Sequence, residues 1–457
     1  MRQDSPTRRL ASFVANLAFS DLPTAVLDHM KLCLLDTIGC GLFGSTLPWG
    51  KILAKFAADL GGRKESTLLG SSTRVSAPNA ALANGTMIHG FELDDLHPVS
   101  ILHPGSVSVP AALAMGEKRG DCTGKEFLVA LVAGYEVGIR VGMSVGDSHL
   151  HRGYHPTGTH GTFSAAAAAG KLLGLDGERM VHALGIAGTQ AAGLMAAQYA
   201  AMVKRMHAGR ASQSGVYGAL LAEKGLTGIT NILEADYGGY CKVMGETPDL
   251  GRMTRGLGED YEVLKVGFKK FSCCGSNLTS LEALSRIMMD HSLEASEIKR
   301  ITIRSTSVTK LHVGWDYKPE GITSGQMNLP YCLALMALEG EVFVDQFTEE
   351  KINDPKILEF IKRIEVVPDE DLDRLGQEYR HAILCQVDTK DGRRFDHRID
   401  FAKGGPNHPL TRQEMESKFR KLTAKALPGK KVESLFQAIQ NIEEVSSLGE
   451  FIRCLVP

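Results

Sequence analysis

Val266–Gly275, VGFKKFSCCG, is the stretch at which the chain changes character. Before it, apolar residues recur at helical spacing: Leu27, Met30, Leu34 and Ile38 share one face, and Phe127, Leu128, Leu131, Val132, Tyr135 and Val137 line residues 125–145. Residues 76–90, SAPNAALANGTMIHG, read as a capped, Ala-rich helix; Pro110–Lys118 opens another with proline in its first turn, and Ser164–Leu173 a third. After it, residues 276–291 are helical and strands appear. Ile301–Val308 alternates, Ile364–Val367 is short, and His381–Asp388 pairs with Arg394–Phe401 across Lys390-Asp391-Gly392, with a helix over Met327–Glu339 between them. From Pro409 the pattern is helical again, and its amphipathic face needs a partner that the first helices can supply. The expected fold is mainly α with an α+β part. A large all-helical domain is built from both chain ends, 1–265 and 408–457, and a smaller α+β unit, 266–407, is inserted where it can act as a lid.

The chain has 457 residues, is 43% hydrophobic and 23% charged, and carries a net charge of −2. No long basic run accompanies that balance, which argues against nucleic-acid binding. MRQDSPTRRLASF lacks the apolar core of a secretory signal, and no uninterrupted run reaches the ~18 apolar residues of a membrane span. Nine cysteines without framework or CxxC spacing suggest reduced thiols in a cytoplasmic setting, most of them packed as small apolar residues, Cys273 and Cys274 included. Gly39–Gly44 spells GxGxxG, but a helical pattern precedes it where a dinucleotide fold needs a strand. A helix ending in a glycine-rich turn is the expectation there.

Chemistry concentrates in three places. His89–Pro110, HGFELDDLHPVSILHPGSVSVP, sets Glu92, Asp94 and Asp95 beside His97-Pro98 and His103-Pro104 within small, apolar flanks. Desolvation penalises such charges unless they are paired or used, and an imidazole tuned by a carboxylate is suited to proton transfer. Residues 149–163, HLHRGYHPTGTHGTF, form an expected loop with His149, His151, His155 and His160 ahead of a helix N-terminus. No HExxH-type pairing is present, so no metal site is expected. Lys204, Arg205, His207 and Arg210 crowd one short turn, either a solvated surface or a carboxylate clamp.

These segments, in order, resemble the MmgE/PrpD family: HGFELDDLHP…HPGSVSVPAALAMGE, GYHPTGTHGTFSAAAAAGKLLGLD, VKRMHAGRASQSG and FKKFSCCG, over nearly the whole chain. That family includes 2-methylcitrate dehydratase, cis-aconitate decarboxylase and iminodisuccinate epimerase. GLMAAQYAAMVKR and GWDYKPEGITSGQM are most similar to the decarboxylase-like branch. The resemblance implies a homodimer, an active site between the helical domain and the α+β lid, and no organic cofactor. The family's acidic motif falls on Glu92, Leu93, Asp94 and Asp95. His103 stands at the HP position after it, His155 at GxHP, Lys204 at the start of the KRxHxGR turn, Lys269 before the paired cysteines, and Tyr331 in LPY.

The expected activity is that of a cofactor-independent lyase on a small di- or tricarboxylate, working through a carbanion-like intermediate; the alternative is an isomerase using the same site. His103 is the expected proton-transfer residue, oriented by Asp94 or Asp95, with His155 as second acid–base group. Lys204 and Lys269 bind carboxylate, Glu92, Asp95, Arg205, His207 and Arg210 complete the binding set, and Tyr331 is a donor from the lid. Two departures from the family pattern bear on the substrate. Glu92 replaces the commoner Asp, and the His97–His103 segment is longer than in animal decarboxylases.

Overall fold

The computed structural model describes residues 4–457. The helix Thr24–Ser45 carries the Leu27–Ile38 stripe and runs straight through the glycines of Gly39–Gly44. The expected glycine-rich turn is therefore absent. These glycines are packing points: a Cβ on Gly44 would lie 1.8 Å from the Met87 carbonyl oxygen, and one on Gly41 would lie 2.6 Å from Leu69 Cδ1. The helix Ala77–Ile88, which delivers the acidic stretch, docks on Thr24–Ser45 at this close approach.

The helices Ala77–Ile88, Gly105–Arg119, Pro156–Leu172 and Val203–Glu223 pack on one another, with Gly124–Val145 against Pro156–Leu172. Small residues set their spacing; a Cβ on Gly209 would meet the Leu82 carbonyl oxygen at 2.1 Å. Packing also moves helix ends away from their local signals. Pro110 lies inside Gly105–Arg119 rather than in its first turn, because a segment buried on every side keeps the helix through a residue that lacks an N–H. The histidine-rich loop is short, since its helix begins at Pro156, and the basic turn is the first part of Val203–Glu223. Gly124–Val145 is long and apolar enough to cross a membrane, yet 94% of its most apolar window is buried inside the protein.

The α+β part holds a four-stranded sheet in the order Ile364–Pro368, Ile298–Ser305, Ile383–Thr389, Arg394–Ile399. The first pair is parallel, with Ile301 opposite Ile364; the others are antiparallel, with Ile303 opposite Cys385 and Cys385 opposite His397. Burial alternates along Ile383–Thr389, which turns Ile383, Cys385 and Val387 inward. The strand expected over Ile301–Val308 instead spans Ile298–Ser305, because Thr306 caps the helix Ser307–Val313 by accepting from the Thr309 N–H. The helices Leu278–Asp290 and Leu329–Glu339 pack together, the former also against the strands. A two-stranded ribbon, Ser66–Thr67 with Arg74–Val75, has no counterpart in the sequence reading.

The fold is thus mainly α with an α+β part, and its apolar residues gather in two cores. One runs from Leu10 to Phe268 and resumes from Leu410 to Leu455. The other gathers residues between Phe271 and Ile399, joined by Cys40, Phe43, Trp49, Phe91, Leu93 and Leu422. The chain changes core between Phe268 and Phe271. Arg412–Thr423 and Gly429–Gln440 pack back on Thr24–Ser45, and Leu448–Cys454 on Gly105–Arg119. Phe91 and Leu93, the residues flanking Glu92, lie on the seam between the two cores.

Candidate active site

The helix Ala77–Ile88 stops at a single turn, His89–Phe91, and Glu92 then bends the chain at a left-handed φ of 54°. Ile101 does the same at 55°, and both are sparsely populated conformations for residues with a side chain. Between them the His97 N–H bonds the Leu102 carbonyl oxygen at 2.9 Å, closing the loop. His103 thereby returns to His89, with ring centroids 4.9 Å apart. His155, at the N-cap of Pro156–Leu172, reaches His89 from a distant part of the chain, with centroids 5.4 Å apart. Three imidazoles are thus brought together around His89. Sequence reasoning passed over His89, whose only signal was membership of the acidic stretch.

Asp94 organises this group. Its Oδ2 accepts from His89 Nδ1 at 2.8 Å and lies 3.4 Å from His103 Nδ1. Burial alone would raise the Asp94 carboxyl, but His103 and His89 more than offset it and hold it well below the usual carboxylate range. Burial outweighs the pull of Asp94 on His103, taking that imidazole down to about 3. His155 is pushed well below its ordinary value by burial and by Lys204. Its Nδ1 lies 3.0 Å from His207 Nδ1, so one ring donates there and the other accepts. Burial and Lys204 take His207 to about 4. In the unliganded site His103 and His155 are therefore neutral, and each can accept a proton.

The cations behave differently from the expected open clamp. Glu92 Oε1 accepts hydrogen bonds from both Lys204 Nζ and Arg205 Nη1, and Lys269 Nζ lies 3.6 Å from Oε2. Burial would raise the Glu92 carboxyl; Lys204, Lys269 and Arg205 overcome that and hold it well down. Lys269 also donates to the Glu92 carbonyl at 3.2 Å, and Arg205 to Gln326 Oε1 at 2.8 Å. Three cations against Glu92 and, acting on Lys269 from farther away, Asp94 leave the locale net positive. Asp95 is a structural anchor below: Tyr135 OH donates to it at 2.7 Å and the Gly105 N–H at 3.0 Å. Burial and Asp36 push its carboxyl well up.

A narrow cavity of about 40 Å³ lies at the seam, lined among others by Glu92, His103, His155, Met195 and Lys204. Its other wall carries Cys274, Ser276, His312 and Arg380 from the α+β part, none of which the sequence reading placed in a site. Cys274 in particular lines the cavity rather than only filling the core. Burial would raise its thiol, but His312, 3.9 Å away, brings it down to about 7. A larger cavity of about 540 Å³ shares Leu96, Gly275 and Arg380 with the narrow one and includes Lys269.

Two of the expected site residues lie away from the cavity. Arg210 is exposed and donates to Gln213 Oε1 at 2.6 Å, because its helix position faces away from the cavity. Tyr331 does not line the cavity; its ring stacks on Tyr317 within the second core, and its hydroxyl is buried without a hydrogen-bond partner among the described residues. Of the four histidines in 149–163, only His155 lines the cavity. His149 and His160 are tied to Thr159 and Tyr240, and His151 is exposed. His89, Asp94 and His103 each bring a ligand atom within 4.8 Å of the others, a set that could also hold a metal ion.

Residues 8–252 match the MmgE/PrpD N-terminal domain and residues 271–444 the MmgE/PrpD C-terminal domain. The chain is 33% identical to the cis-aconitate decarboxylase-like protein oryM of Aspergillus oryzae, over 98% of this chain and 96% of that protein. It is 28% identical to the cis-aconitate decarboxylase of Aspergillus terreus, again over 98% and 96%. The mitochondrial 2-methylcitrate dehydratase of Yarrowia lipolytica is 23% identical over 78% of this chain and 70% of that protein.

Proposed function

The chain belongs to the MmgE/PrpD family, and on that premise we propose that it is a lyase acting without a cofactor on a small tricarboxylate, with cis-aconitate the first candidate. The observation that carries the reading is the convergence of His103 and His155, from segments far apart in the chain, on one cavity that also contains Lys204. The near-complete coverage of the decarboxylases, against partial coverage of a dehydratase, favours loss of CO2 over loss of water.

The chemistry follows from the charges. A polycarboxylate entering this net-positive locale brings negative charge beside His103 and His155. That charge raises both imidazoles from their depressed values toward the range in which they hold a proton at neutral pH. As CO2 leaves, the electron pair stays on the remaining unsaturated dicarboxylate, where Lys204 stabilises it. An imidazolium then delivers its proton to carbon, and Asp94 stabilises the charged His103 ring before transfer. The same groups could instead remove a proton next to a carboxylate, as dehydration or epimerisation requires.

Incubating the protein with cis-aconitate, 2-methylcitrate, citrate and iminodisuccinate and following products by NMR tests the reading. Cis-aconitate should be consumed with CO2 release, and His103→Ala and His155→Ala should each lower turnover ~10²–10⁴-fold with the fold intact. Near-normal turnover in His103→Ala refutes the assignment. Solvent deuterium entering recovered substrate without loss of CO2 or water identifies an epimerase. Loss of activity on chelation, restored by a divalent ion, makes His89, Asp94 and His103 a metal site.

A further inference from the structure

Lys204 meets the cavity with its charge already shared with Glu92. Arg380 does not. Among the described residues no carboxylate lies within ion-pair distance of its guanidinium, although only 9% of the residue is exposed. Asp147, the carboxylate with the strongest influence on it, acts from farther away. Burial lowers the guanidinium to about 10, so it keeps its charge at neutral pH. Its Nε donates to His381 Nε2 at 3.0 Å, its two terminal nitrogens make no hydrogen bond among the described residues, and the residue lines both the narrow and the larger cavity. An isolated buried guanidinium is unfavourable unless an anion comes to it.

The neighbouring residues are arranged in the same sense. His312 Nδ1 lies 3.1 Å from Ser276 Oγ, while its Nε2 is buried with no hydrogen-bond partner among the described residues. One local structure positions both groups. The helix Ser307–Val313 carries His312, and its cap residue Thr306 donates to the Arg380 carbonyl oxygen at 2.5 Å, with Thr309 at 3.1 Å. Ser276, His312 and Arg380 then line the cavity wall that the α+β part contributes, while Lys204, His103 and His155 come from the helical body.

We propose that Arg380 and His312 form a carboxylate-binding subsite, holding a carboxylate of the substrate other than the one near Lys204, and so select molecules with carboxylates at both ends. A guanidinium can take such a group in bidentate fashion, and His312 Nε2 can add a donor. The inference rests on the polycarboxylate reading of the site and goes further by saying which chain segment measures the substrate's length.

Binding of tricarballylate (propane-1,2,3-tricarboxylate), which is saturated and unreactive, provides the test, by calorimetry in a buffer free of carboxylates. The unsubstituted protein should bind it, and Arg380→Gln should bind it roughly tenfold to a hundredfold more weakly. Arg380→Lys should recover part of the loss. Without ligand, the melting temperature of Arg380→Gln should be equal to or above that of the parent, since an uncompensated buried charge has been removed; the ligand-induced rise should shrink. Equal affinity in parent and variant overturns the subsite and leaves the polycarboxylate reading standing. A clear fall in the unliganded melting temperature assigns Arg380 a structural role and also overturns it. Failure of the parent to bind tricarballylate removes both readings.

Discussion

His89 Nδ1 and Asp94 Oδ2 are 2.8 Å apart, in a pair from which solvent is shut out. The hydrogen bond orients Asp94 so that the same oxygen faces His103. In the proposed reaction Asp94 then stabilises the positive charge that His103 gains. Asp94→Asn should lower kcat ~10²–10⁴-fold. Because Asp94 raises His103 and the protonated ring is the form that acts, its removal should also shift the basic limb of the kcat profile to lower pH. Loss of rate with an unmoved pH profile would assign Asp94 a purely structural role.

Among the described residues Glu92 is the single carboxylate paired with all three of Lys204, Arg205 and Lys269, and it is 2% exposed. Removing one partner of a buried ionic group leaves its partners uncompensated, at about 3–5 kcal/mol. Glu92→Gln should therefore lose about that much stability in urea unfolding, and Glu92→Asp should lose less because the charge remains. A Gln variant as stable as the parent would show that the three cations are satisfied without Glu92.

Acid should weaken the fold earlier than carboxylate titration alone predicts. His103, His149, His155, His160, His207 and His381 all have imidazoles lowered from 6.5, with burial the largest cause in each. The unfolded chain takes up these protons below about 6.5 while the folded chain resists, so stability is full above that pH and falls as pH drops toward 4. Melting temperatures measured from pH 8 to pH 5 should decline most below 6.5. A flat profile across that interval would mean that these imidazoles are charged in the folded protein.

Cys274 should be the first thiol alkylated. Its thiol is brought down to about 7, whereas burial raises Cys33, Cys40, Cys122, Cys241, Cys332 and Cys385. Thiolate is the reacting form, so the rate with iodoacetamide should reach half its maximum near pH 7. Tricarballylate should slow the reaction by filling the cavity that Cys274 lines. Peptide mapping that finds another cysteine modified first would refute this.

Much of the architecture is legible in the chain because it rests on local periodicity. The helical stripe of Leu27–Ile38, the hairpin around Lys390–Gly392 and the return of the last helices can each be read from spacing, as can the change of character at Val266–Gly275. Helix ends were less legible where burial on all sides overrides local signals, as at Pro110 and in Gly39–Gly44. The ordered motifs also singled out His103, His155, Lys204 and Glu92, which line one cavity.

Tertiary structure decided what those residues are paired with. Nothing in the spacing shows that Glu92 would occupy three cations, that His89 would hold Asp94, or that Arg210 and Tyr331 would point elsewhere. Nor does it show that His312 and Arg380 would form the opposite wall. Apolar periodicity is a property of neighbours along the chain and survives in the string of letters. The partner of a buried charge is set by which helices and loops meet across the seam, and low dielectric there makes that pairing decide each group's protonation.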